Sequence, residues 1–273
     1  MENLRTASTR RPLIIAHRGA SATAPENTLA AFSRALREGA DGLELDVRLA
    51  RDCVPVVIHD ATLRRTGLCA GIVSEMTSGE LSQVSVGKWF NSANPRLARA
   101  EYEHEKVPSL QQVFSLVKAH PSVRRPVIYV EIKLENKGVE RAALASSVAD
   151  LIVRQDLQKQ VVVVSFELKV LTEIKAIETS IRTGALFEPK RSALQMISGR
   201  RLIDASLECG AEEILLHRLM VNRRLVRLAA DKGLIPVVWT VDDPKWLSRA
   251  TRLGIHAIIT NNPAGMIVGG TNS

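Results

Sequence analysis

Aromatic residues are scarce, at 4% of this 273-residue chain. No strand carries the aromatic pattern on which bases would stack, which sets nucleic acid aside as a partner. The core must therefore rest on Val, Ile, Leu and Ala, the palette of buried parallel strands. No stretch approaches the roughly 18 consecutive apolar residues of a membrane span. The opening MENLRTASTRRPLIIA has basic residues but no apolar run of signal-peptide length, and from Pro12 onward it reads as a first strand. A cytoplasmic protein is expected. Cysteines number three (Cys53, Cys69, Cys209), an odd and scattered set without metal-type spacing, so reduced thiols are expected rather than a disulfide framework. Low-complexity linkers are also lacking. One domain is expected, with a core from about 13 to 266 and a loose tail at GGTNS.

Charge, by contrast, is in excess: 37 Lys and Arg against 29 Asp and Glu leave a net +8. Such a balance favours small anionic partners such as phosphate compounds. The basic residues are spread along the chain, so the same excess also serves solubility. A homo-oligomer is compatible with the sequence.

Short apolar runs alternate with amphipathic stretches. Strands are predicted at 13–17, 42–48, 126–133, 161–166, 183–187, 213–217, 235–241 and 257–261. Helical periodicity covers 28–38, 109–119, 140–154, 167–178, 192–207, 222–232 and 243–253, and Gly39, Gly233 and Gly254 stand where helix-terminating glycines belong. Strands alternating with helices imply a parallel sheet. Eight of them in a chain of this length point to an α/β fold, a single-domain (β/α)8 TIM barrel, with a doubly wound open sheet as the alternative. The rhythm breaks once. After the second strand a further apolar run, PVVIH (55–59), leads into an insertion over about 60–108 that contains the helix-like TSGELSQV. Long insertions on barrel loops usually shape an active site.

Barrel enzymes gather their reactive groups at the carboxyl ends of the strands. Here those ends carry His17-Arg18, Glu44 and Asp46, His59-Asp60, Glu131 and Lys133, and Trp239. In GLELDVR, Glu44 and Asp46 share one face while Leu43, Leu45 and Val47 take the other; in VIYVEIK, Glu131 and Lys133 oppose Val130 and Ile132. The aliphatic set suits a helix layer, which sends the charges inward, where each is costly unless paired or metal-bound. Three carboxylates among few cations suit a hard cation, Mg²⁺ or Ca²⁺. Taken singly, an E-x-D can be a solvated face, Lys133 a counter-charge and each histidine structural. Taken together, these readings would need several independent coincidences at one end of one sheet.

HRGASATAPENT (17–28), ADGLELDVRLARDCVPVVIHDATLRRTG (40–67), VGKWF (86–90), VPSLQQVF (107–114), VEIK (130–133), VVSF (163–166), VVWTVDD (237–243) and LGIHAIITNNPAGM (253–266) resemble the glycerophosphodiester phosphodiesterases, in order and over almost the whole chain. The resemblance implies a barrel with one divalent cation, Mg²⁺ or Ca²⁺, on Glu44, Asp46 and Glu131. It implies His17 and His59 as the acid–base pair and Arg18 and Lys133 on the phosphate of a small glycerophosphodiester. We take His17 as the base and His59 as the acid, with Trp239 against the glycerol. Asn27 or Thr28 is expected to cap the first helix, Asp60 to orient a neighbour, and Trp89 and Phe90 to roof the site. His104 reads as a surface residue, and His217 matches no motif. Departures from the family pattern fall at Ala50, Asp52-Cys53, Arg64, Gly67 and His256–Asn261, none of them a proposed ligand or histidine. The rivals are a phospholipase D-like enzyme on the same barrel, of lysophospholipase D or sphingomyelinase D type, and a catalytically silent barrel that binds phosphoesters.

Overall fold

The structure, a computed structural model, describes residues 11–121, 125–135, 139–189 and 198–271. Its strands are β1 (Leu13–His17), β2 (Gly42–Leu49), β3 (Pro55–Val57), β4 (Val127–Ile132), β5 (Val161–Ser165), β6 (Arg182–Phe187), β7 (Glu213–His217), β8 (Ile235–Trp239) and β9 (Ala257–Thr260). All but β3 pair in parallel, in the order β1-β9-β8-β7-β6-β5-β4-β2. The ring closes where β1 meets β2, with Ile15 opposite Gly42 and His17 opposite Glu44. That closure excludes the doubly wound open sheet and makes the fold a TIM barrel. β3 pairs antiparallel with β2 outside the ring and begins the insertion.

Alternation along each strand separates two apolar regions. Leu43, Leu45, Val47, Ile128, Val130 and Ile132 face the helices, in one cluster with Phe32, Phe114 and Leu144. Ile15, Tyr129, Val162, Val164, Leu215, Val237 and Ile259 fill the barrel's interior. A stepped register brings Asp46 opposite Glu131 and Glu44 opposite Tyr129. The insertion has a small core of its own, with Val56, Ile58, Leu63, Val73, Leu81 and Val86 buried together.

Two helices near the site begin where side chains satisfy their first amides. Thr28, not Asn27, caps α1 (Leu29–Arg37), accepting from the Ala31 N–H. Ser109 and Gln112 form a capping box at the helix Leu110–Ala119. A helix spans Gly199–Glu208, and the expected 192–197 portion lies outside the described residues. The expected loose tail needs correction: it is largely helical, because a last helix runs from Pro263 to Thr271, and only 272–273 fall outside the described residues. Met266 anchors this last helix in the core, and its glycines allow close packing: a Cβ on Gly269 would sit 2.5 Å from Pro244.

At the amino end of the barrel one carboxyl is buried without a catalytic neighbour. Glu213 is fully buried and accepts from the Tyr129 hydroxyl at 2.8 Å, with Arg182 at 3.4 Å. Burial pushes its pKa up to about 7, against the opposing pull of Tyr129 and Arg182. The folded protein therefore binds this proton more tightly than the unfolded chain, and its contribution to stability is present at acid pH and lost as pH rises toward 7. Glu213→Gln should become progressively more stable relative to wild type as pH rises from the ordinary carboxyl range to about 7, by roughly 1.4 kcal/mol per pH unit at most, and the difference should level off above that. Parallel stability curves in urea melts would count against this account.

Candidate active site

Strand β2 supplies Glu44 and Asp46, and the carboxyl end of β4 supplies Glu131. One oxygen from each lies within 4.8 Å of the others, and all three residues are buried. The ladder accounts for this convergence, since Asp46 and Glu131 are direct partners and His17 sits opposite Glu44.

The loop after β1 turns back over these acids. Arg18 and Gly19 adopt positive φ, 56° and 80°. Gly19 is required there, because a Cβ would lie 2.6 Å from the Ala31 carbonyl carbon. Asn27, also left-handed at φ 57°, donates its side-chain amide to Asp46 Oδ2 at 2.8 Å. Arg18 Nε pairs with the same oxygen at 3.0 Å, and Lys133 Nζ approaches Asp46 Oδ1 at 3.3 Å and Glu131 Oε1 at 2.7 Å. Two backbone positions of a kind most side chains avoid are thus held so that they can reach one buried carboxylate.

The surroundings act differently on the three acids. Burial opposes the charge on Asp46, but Arg18, Lys133 and His59 overcome it and hold the carboxyl well below the usual range. Burial pushes Glu44 well above that range, and repulsion from Asp46 and Glu131 adds to it. Glu131 is also raised, by burial first, with Lys133 opposing. The nearby cations leave the acids under-neutralised. Asp46 Oδ1 and Glu131 Oε1 are buried and, Lys133's contacts aside, have no hydrogen-bond donor among the described residues. Three converging hard oxygens with surplus negative charge fit a divalent cation.

The two histidines differ in their partners. His17 Nδ1 meets Asn261 Oδ1 at 2.7 Å, while Asn261 Nδ2 donates to Asp242 Oδ2 at 2.8 Å. A carboxylate accepts only, so Asp242 fixes the amide's orientation, and Nδ1 of His17 must be the protonated nitrogen. Its Nε2, 3.8 Å from Glu44 Oε2, then carries the lone pair. Burial, reinforced by Arg18, lowers the His17 pKa to about 4. His59 Nδ1 instead meets a carboxylate, Asp60 Oδ1, at 2.6 Å, and the backbone carbonyl of His59 accepts from Arg48 Nε at 2.8 Å.

These groups border a cavity of about 280 Å³, with His17, Arg18, Glu44, His59, Glu131 and Lys133 on one side and Phe166, Leu215 and Trp239 on the other. Trp239 is half-buried and braced edge-to-face by Phe166 and His217, with ring centroids 5.5 and 5.3 Å away. His217, which matches no motif, thus steadies a wall of the cavity. Phe90 does not roof the site: it is 2% exposed and packs with Ala24, Ala31 and Tyr102. Trp89 lies under Arg65, whose guanidinium carbon is 5.7 Å from the ring. Asn261, Asp242, Arg65 and Glu26 hold places in the site that no motif in the sequence assigns to them. Glu26 in fact pairs with both Arg18 and Arg65. The only sequence sign at Asn261 is its departure from the acidic residue common at that place in the family.

The model of the glycerophosphoryl diester phosphodiesterase family matches residues 17–265. A glycerophosphodiester phosphodiesterase of Caldanaerobacter subterraneus is 30% identical over 262 residues, covering 93% of this chain and 96% of the relative. The crystal structure of a glycerophosphodiester phosphodiesterase from Agrobacterium tumefaciens superposes with a TM-score of 0.75 at 26% identity, over 94% of this chain and 99% of that one. An Oleispira antarctica phosphodiesterase, solved with the product sn-glycerol-3-phosphate, shares the fold at a TM-score of 0.80 and 24% identity, over 96% and 98% of the two chains.

If the acidic cluster takes a cation, Mg²⁺ or Ca²⁺ should raise the melting temperature, by the equivalent of about 2.7 kcal/mol at a hundredfold excess over Kd. Glu44→Gln should abolish most of that rise. A wild-type melt indifferent to both ions would refute the cluster as a metal site.

Proposed function

This chain belongs to the glycerophosphoryl diester phosphodiesterase family, and we propose that it hydrolyses glycerophosphodiesters to glycerol 3-phosphate and an alcohol. Family membership supports the phosphodiesterase activity. The observation that carries the mechanism is the unequal setting of two histidines around one acidic cluster.

In this reading Glu44, Asp46 and Glu131 hold one divalent cation, Mg²⁺ or Ca²⁺, which supplies charge to stabilise the phosphorane-like transition state. Arg18 and Lys133 border the same cavity and would meet the phosphate's anionic oxygens, adding preorganised positive charge. His17 accepts at Nε2 the proton of the attacking oxygen, which belongs either to water or to the neighbouring glycerol hydroxyl; in the second case water then opens the cyclic phosphate with the two histidines' roles reversed. Its neutral amide partner and its burial favour the uncharged ring that a base needs. As the new P–O bond forms and the bond to the alcohol breaks, His59 delivers a proton from Nε2 to the departing oxygen. Burial, with Arg18 and Lys133, lowers the His59 pKa, and Asp46 and the Asp60 carboxylate at Nδ1 oppose that shift and stabilise the imidazolium that must exist before transfer. The proton gained by His17 and the one lost by His59 balance over the cycle. Trp239 offers a flat apolar wall to the glycerol carbons.

Purified protein supplied with Mg²⁺ or Ca²⁺ should release glycerol phosphate from glycerophosphocholine, and chelator should stop it. His17→Ala and His59→Ala should each lower kcat by about 10²–10⁴-fold. Lysophosphatidylcholine and sphingomyelin belong in the same assay. A clear preference for either would replace this reading with the phospholipase D-like one, and binding without turnover would leave a silent barrel.

A further inference from the structure

Arg65 comes from the insertion and is absent from the cavity wall, yet its guanidinium makes three short hydrogen bonds. Nε donates to Asp60 Oδ2 at 2.7 Å, and Nη1 and Nη2 donate to the two Glu26 oxygens at 2.8 Å each. The other oxygen of Asp60 holds His59 Nδ1, and Glu26 Oε1 also accepts from Arg18 Nη1 at 2.9 Å. Beneath the guanidinium lies the Trp89 ring. The side chain is thus fixed on one edge by a bidentate carboxylate and on one face by an indole. That leaves its Nε edge as a rigid anchor for Asp60.

We propose that Arg65 is a positioning residue that acts on the reaction through the Asp60–His59 pair. Without it, Asp60 could rotate about its own side chain and release the His59 ring from the orientation that aims Nε2 into the cavity. A lysine could meet Glu26 or Asp60 but not grip both, because only the planar fork matches two carboxylates at once. Partners that orient functional groups in this way are typically worth about 10–100-fold in activity. The inference rests on the reading of His59 as proton donor only where it concerns the leaving group.

The test compares R65A, R65K, H59A and H59A/R65A on two substrates, glycerophosphoethanolamine and glycerol p-nitrophenyl phosphate. An ethanolamine alkoxide needs a proton to depart, whereas p-nitrophenolate does not. R65A should lose about 10–100-fold in kcat on the first substrate, with little change in KM, and far less on the second. R65K should recover little, and added guanidinium should restore part of the R65A rate. R65A should add little to H59A. If R65A loses equally on both substrates while H59A discriminates between them, or if its loss multiplies with that of H59A, the inference is overturned. If H59A itself does not discriminate, the donor reading of His59 fails, and a double variant no slower than H59A still supports action through that histidine.

Discussion

The site is organised by mutual repulsion among Glu44, Asp46 and Glu131, three carboxylates forced onto the inner face of a closed barrel. Their inward direction follows from strand alternation, because Leu45, Val47, Val130 and Ile132 must face the helices. Burial magnifies the repulsion, as charges interact far more strongly away from water. The surrounding structure can be read as a set of answers to that one problem.

Lys133 supplies charge from the same strand end as Glu131. Arg18 and Asn27 supply it, or a hydrogen bond, from a loop whose backbone is bent into left-handed conformations at both residues. Gly19 permits the bend by letting the loop lie against the Ala31 carbonyl. These groups settle Asp46 as a carboxylate but leave Glu44 and Glu131 raised. Carboxyls whose ionisation is opposed in this way suit an entering cation, which would relieve their repulsion and let them ionise.

A second asymmetry is built outside the acids. One histidine faces an amide held by Asp242, and the other faces a carboxylate held by Arg65. Two chemically identical side chains are thereby given different partners at Nδ1 by residues one contact further out. The insertion's contribution is Asp60 and Arg65 rather than a roof, since Phe90 serves the packing between the insertion and α1.

Much of this was legible in the linear chain. Alternating strands and helices announced the barrel, and period-two spacing in GLELDVR and VIYVEIK assigned the acids to its interior, because both patterns are local consequences of backbone geometry. The residue register with which β1 closes on β2, the helical fate of residues 263–271 and the true place of Phe90 were not, since each depends on which distant surface a segment packs against. The same holds for Asn261 beside His17, 244 positions away, and for Arg65 between Glu26 and Asp60. Sequence alone determined which chemical groups reach the rim of the barrel. Only the tertiary structure decided which partner each one meets, because partner choice is a matter of distance and direction in space, and loops joined by long stretches of chain encode neither in their local pattern.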